Sequence, residues 1–138
     1  MQKILKYLFL FLVGGTVYYL IEVTVRGFSH PSMFICGGIC FICVGSLNLI
    51  KGKNIGLIKQ MILGSVIITV LEFITGYIVN IILKLNVWDY SSRLYNLLGQ
   101  ICLRYSIVWF FLSIVAIFFD DFLRHKFFHE PYPNYKLF

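Results

Sequence analysis

Four apolar runs dominate this chain, and their lengths decide what it can fold into. They cover about residues 4–25, 33–50, 55–83 and 94–119, each 18 residues or longer, and as a helix each can cross a hydrocarbon core of about 30 Å. In lipid the backbone must satisfy its own hydrogen bonds, so a spanning segment is a helix or a strand of a closed barrel. None of the runs has the two-residue alternation of barrel strands. The expected fold class is therefore all-α: one integral membrane domain over residues 1–138, with four transmembrane helices. Composition excludes a soluble globular domain, because 59 % of residues are hydrophobic and 13 % charged, against about 45–50 % and 25 % in soluble domains.

The excess of 12 Lys and Arg over 6 Asp and Glu reads as membrane topology and not as a nucleic-acid surface. Lys3, Lys6, Lys51, Lys53, Lys59, Arg124, Lys126 and Lys136 fall on one side of the expected spans, and Arg26, Lys84 and Arg93 on the other. By the positive-inside rule both termini are cytoplasmic. The first run is longer than a signal-peptide core and no A-x-A-like site follows it, so it reads as a retained helix. The last two runs are long enough for tilt or a break. In the tail, 120–138, Phe122, Leu123, Phe127 and Phe128 with Arg124 and Lys126 suit a short interfacial helix on anionic lipid, ended by Pro131 and Pro133.

Residues 28–41, FSHPSMFICGGICF, align without a gap to residues 90–103, YSSRLYNLLGQICL, with Ser29/Ser91, Gly37/Gly99, Ile39/Ile101 and Cys40/Cys102 identical. Gly14 and Glu22 match Gly64 and Glu72 at a constant offset of 50. The pattern predicts two tandem two-helix repeats in parallel orientation, related by an axis along the membrane normal. It also makes Glu22 and Glu72 a pseudo-symmetric pair.

Glu72 stands out chemically, since 11 residues on either side of it carry no charge and an intramembrane carboxylate is costly unless paired or wetted. Gly76 and Asn80 follow at helical spacing, so carboxylate and amide share a face that could hold a cation, a proton or a hydrogen-bonding solute. The structural alternative is an ion pair with Arg104. Glu22 and Arg26, spaced i, i+4, read first as a helix-end salt bridge and second, through the repeat, as part of a paired carboxylate site able to support proton coupling. His30 and Asp89 lie in the expected outer loops, where Ser29, Ser32, Ser91 and Ser92 add polarity.

Met33, Cys36, Cys40 and Cys43 share one face of the second run and are read as a packing seam with its glycines, not as metal ligands. All four cysteines lie inside apolar runs and give no disulfide framework. Trp88, Tyr90, Tyr95 and Trp109 read as interfacial or core aromatics. No G-x-x-x-x-G-K-[ST], H-E-x-x-H or G-x-S-x-G motif occurs, so no cofactor or nucleotide hydrolysis is assigned.

Taken together, the string E-x-x-x-R-G-x-S-H-x-S-M from Glu22 to Met33, the pair Gly37–Gly38, E-x-x-x-G-x-x-x-N from Glu72 to Asn80, V-W-D-Y-S over 87–91, N-x-x-G-Q-I-C over 96–102 and the later Trp109 resemble the CmpB-like ABC-transporter type IV membrane proteins. The resemblance covers about residues 14–110. It implies a small multi-span permease-like protein with a separate ATPase or another membrane subunit as partner, and transfers no catalytic residue set. The expected function is a membrane transport protein, a homo-oligomer in the bilayer, binding a small polar or charged solute or ion at an outward-facing site. That site comprises Glu22, Arg26, His30, Glu72, Asn80, Asp89 and Arg104. The competing readings are a lipid-modifying or cofactor-binding membrane enzyme and a non-catalytic accessory subunit.

Overall fold

The computed structural model of the chain describes residues 2–49, 56–132 and 135. Helix α1 spans Gln2–Arg26, α2 Pro31–Gly45 and α3 Leu57–Gly76, and α4 spans Leu103–Phe128. α2 runs on into a 3-10 turn, Ser46–Leu49, and α3 into a π-helical turn, Tyr77–Ile82. Three of these helices, Gln2–Arg26, Leu57–Ile82 and Leu103–Phe128, are long and apolar enough to cross a membrane. α2 with its 15 residues reaches only about 22 Å, and the 3-10 turn extends it to about 30 Å. A four-helix membrane bundle fits these lengths.

α2 is the central element. It packs against α1, α3 and α4, while α3 pairs chiefly with α4 and α1 touches α4 only marginally. The α1–α2 contact is made by rings lying on glycines in both directions. Phe41 covers Gly14, Phe34 covers Gly15, Tyr18 covers Gly37 and Phe11 covers Gly38, so the missing side chains are what let the two backbones approach. Between α3 and α4 the contact is partly polar. Ser65 Oγ donates to the Ser106 carbonyl at 2.6 Å, and the Thr69 and Ser106 hydroxyls lie 2.8 Å apart.

Observed boundaries differ from the sequence reading in one place that matters. The fourth helix begins at Leu103, not at 94, and continues to Phe128. Residues 96–102 instead form a small antiparallel hairpin, β1 Asn96–Leu97 with β2 Ile101–Cys102. Tyr95 and Leu98 have φ of 56° and 54°, Gly99 one of 73°, outside any helix. The Asn96 side chain fixes the turn, bonding the Ser91 and Arg93 carbonyls and the Gly99 amide. Leu94, Leu97 and Leu98 supply helix-like hydropathy here yet are 83 %, 53 % and 61 % exposed.

The hairpin also separates the two segments that align in sequence. Gly37 and Cys40 lie in helix α2, whereas their counterparts Gly99 and Cys102 lie in the hairpin. The aligned segments thus give tandem two-helix repeats no structural support. At the far end, the tail expected as a separate interfacial helix is, up to Phe128, the last turns of α4. His129, left-handed at φ 56°, closes that helix with its amide on the Arg124 carbonyl. The end of the second expected span at 50, the start of the third at 55, and Lys51, Lys53, Pro133 and Lys136 lie outside the described residues.

Candidate functional site

A cleft of about 140 Å³ opens where α1 and α4 part, floored by α2 and reached by Ile68 and Glu72 of α3. Its lining runs along α4 from Trp109 to Phe119, about 15 Å of helix. Glu72 lies at the same end of the slot as Trp109 and is 3 % exposed. The indole Nε1 of Trp109 donates to Glu72 Oε2 at 2.8 Å. The other oxygen, Oε1, is buried without a hydrogen bond of ordinary geometry, and the Tyr90 hydroxyl is the second donor that faces this carboxyl. A buried carboxylate oxygen without a close donor is costly, so this atom is the strongest ligand-seeking group at the site.

An aromatic pair links Glu72 to Glu22. The Tyr18 and Trp109 rings meet edge to face with centroids 6.0 Å apart, and the Tyr18 hydroxyl donates to Glu22 Oε1 at 3.1 Å. Arg26 donates to Glu22 Oε2 at 3.0 Å and also reaches the Val87 carbonyl. The local i, i+4 salt bridge read from the sequence is therefore present, and it doubles as a tie between α1 and the loop after α3.

That loop forms a roof at this end of the bundle. Val87 is held from both sides, because its amide donates to Asn80 Oδ1 at 2.7 Å while its carbonyl accepts from Arg26. Asn80 Nδ2 donates to Gln100 Oε1 at 2.7 Å, and Trp88 Nε1 donates to the Gln100 carbonyl at 2.9 Å. Gly76 allows this closure, since a Cβ there would lie 2.6 Å from Gln100 Oε1 and 2.8 Å from the Trp88 ring. Met33, Val79, Val87 and Trp88 form the apolar core of the roof, with Tyr18 and Tyr90 packed against it. Tyr90 stacks on Tyr105 at 4.9 Å, and burial pushes its hydroxyl well above the usual tyrosine range.

The seven residues singled out from sequence thus divide. Glu72 lines the cleft, Glu22 reaches that end through the Tyr18 hydroxyl, Arg26 ties Glu22 to the roof, and Asn80 builds the roof. His30 caps α2, its Nδ1 accepting from the Ser32 amide at 3.1 Å and lying 2.8 Å from the Ser32 hydroxyl. Asp89 closes an exposed turn by accepting from the Ser91 hydroxyl and, at 2.8 Å, from the Ser91 amide, which together hold its carboxyl below the usual range. Arg104 is exposed in the first turn of α4, and among the described residues no ion pair joins it to Glu72, whose partner is Trp109.

Sequence reasoning missed Tyr18 and the opposite end of the bundle. There the Arg124–Asp120 pair, Nε to Oδ2 at 2.8 Å, is almost wholly buried, with side chains 3 % and 0 % exposed. Arg124 also lies over the Tyr7 ring and 3.5 Å from the Ser46 hydroxyl. Gly45 packs directly on the Asp120 carboxyl, and Lys6 pairs with Glu130 at 3.1 Å. The i, i+4 spacing of Asp120 and Arg124 was the available signal. Cys36 and Cys40 line the cleft with their sulfurs 4.0 Å apart. Among the described residues no three His, Cys, Asp or Glu side chains gather as a metal site would require.

The apolar spans, the lipid-facing aliphatic surface and the buried intramembrane carboxylate define a helical integral membrane protein. Its family is shown by a match over residues 5–136 to the family model described as "Putative ABC-transporter type IV", and the chain belongs to that family. No curated protein and no solved structure matches it.

Proposed function

We propose that this transport-related membrane protein binds its solute in the cleft between α1 and α4, with Glu72 as the binding group. One observation carries the reading: Glu72 lines the cleft with Oε1 buried and without a close hydrogen bond, while Oε2 is fixed by Trp109. The carboxylate is thereby oriented and half-occupied. A cation or a hydrogen-bond donor on the solute completes it.

Glu22 and Arg26 form the outer approach, and Asn80, His30, Asp89 and Arg104 shape and edge the outer mouth. Both termini are cytoplasmic in this reading, which puts the roof of residues 83–102 and the Glu72 end of the cleft on the outside. Four helices enclose little volume, and a homo-oligomer with a separate ATPase or other membrane subunit would complete the permeation path.

The test is flux in proteoliposomes with Glu72→Gln. Glutamine keeps an acceptor for Trp109, so the variant should fold and melt close to the parent while transport is lost. Unchanged flux of an identified solute in Glu72→Gln overturns the reading.

A further inference from the structure

The wall of the cleft says more about the ligand than its single carboxylate does. Apart from Glu72, the surface it offers is hydrocarbon, sulfur and aromatic ring, with Tyr18 and Trp109 beside the carboxylate and Phe41 and Phe119 further along. Phe41 and Phe119 pack at 5.8 Å between centroids, Tyr18 and Trp109 at 6.0 Å. A hydrated inorganic ion gains little in such a wall, because no oxygen shell is present to replace its water. Aromatic rings beside a carboxylate instead suit an organic ammonium, whose charge the carboxylate and π-faces both attract and whose carbons the wall accepts. The volume fits: about 140 Å³ is close to that of an apolar cavity that accepts one benzene ring, about 150 Å³.

We propose that the cleft takes an organic ammonium compound, its cationic nitrogen against Glu72 Oε1 beside Tyr18 and Trp109 and its hydrocarbon body lying in the slot towards Phe119. This rests on the reading of Glu72 as the binding group and narrows it to a substrate class. Val17, Ile21 and Val115 also edge the cleft, and Val17, Ile21 and Val115 are 42 %, 41 % and 59 % exposed. The slot therefore opens towards the lipid-facing surface, and a longer hydrocarbon tail can extend from it into the acyl region of the bilayer.

The experiment titrates benzylamine, benzyl alcohol and methylammonium into the full-length protein in nanodiscs, with empty nanodiscs as the blank. Saturable benzylamine binding is expected, weakened about ten- to a hundredfold in Glu72→Gln, with benzyl alcohol weak and little affected by that variant. Methylammonium, which has the charge without the body, should bind weakly. Ala116→Leu, which fills the slot and leaves Glu72 intact, should remove benzylamine binding while the protein stays monodisperse. Equal Glu72-dependent binding of methylammonium and benzylamine overturns the substrate class but leaves Glu72 as a binding group. Benzylamine binding that survives Glu72→Gln unchanged, or no saturable binding of any probe, overturns both.

Discussion

Trp109 and Glu72 meet across the α3–α4 interface through one short hydrogen bond, indole nitrogen to carboxylate oxygen, at 2.8 Å. They lie 37 positions apart in the sequence, and their contact turns an isolated intramembrane carboxylate into an oriented one. Trp109 thus has two tasks: it donates to one oxygen, and its ring joins Tyr18 in the wall where a ligand would lie.

Replacing Trp109 by Phe removes the one close hydrogen bond of the Glu72 carboxylate. The expected loss is about 1–3 kcal/mol, read as a lowered unfolding transition in detergent. Glu72→Leu combined with Trp109→Phe should lose less than the two single changes added together, because neither buried partner is then orphaned. Strict additivity would mean that the bond contributes nothing.

Arg26 is the clamp on the roof, bonded to Glu22 and to the Val87 carbonyl. Its ion pair with Glu22 is partly exposed, 26 % and 12 % for the two side chains, and such pairs contribute about 1 kcal/mol or less. Arg26→Met should leave global unfolding nearly unchanged but raise amide hydrogen exchange across residues 83–102. Exchange that rises equally in all four helices would contradict a local tie.

At the opposite end, breaking the Asp120–Arg124 pair by Arg124→Met should cost about 3–5 kcal/mol, since it strands a fully buried carboxylate against Gly45. Asp120→Leu in the same chain should recover most of that loss. Thermal unfolding of the single and double variants decides, and a double variant as unstable as the single would show that the charges do more than neutralise one another.

Asp89 gives a pH signature outside the bundle. Its carboxylate accepts from the Ser91 hydroxyl and amide, which lowers its pKa below the ordinary 3.8. The turn's extra stability is therefore fully present above that ordinary value and fades as pH falls through the depressed one. The Ser91 amide proton shift should titrate in that acid window, and Asp89→Asn should flatten the curve. A midpoint above 3.8 would contradict the hydrogen bond.

Parts of the site were legible because they depend on one helix alone. Glu22 and Arg26 meet by i, i+4 geometry wherever that helix forms, and Glu72 is conspicuous in any run without other charges. The pairing of Glu72 with Arg104 was a reasonable charge-based expectation that the packing replaced with a neutral donor. Asp120 and Arg124 were read as tail residues because hydropathy falls there, although the helix continues and α2 brings Gly45 and Ser46 over them. Residues 94–102 read as helix because their leucines carry the right hydropathy, which is blind to the hydrogen bonds of Asn96 and to positive φ at Tyr95 and Leu98.

By itself the sequence determined the class of protein, since the lengths of the apolar runs and the need of a backbone in lipid to bond internally leave only a helical bundle. It also determined that Glu72 must find a partner or a ligand within the membrane. Only the tertiary structure decided which: the packing of α3 on α4 sets Trp109 on one oxygen, α1 and α2 complete an aromatic cleft at the carboxylate, and the loop after α3 folds over that end as a roof. Hydropathy and spacing act along one helix, whereas the identity of a buried group's neighbours is fixed by which helices meet and at what rotation.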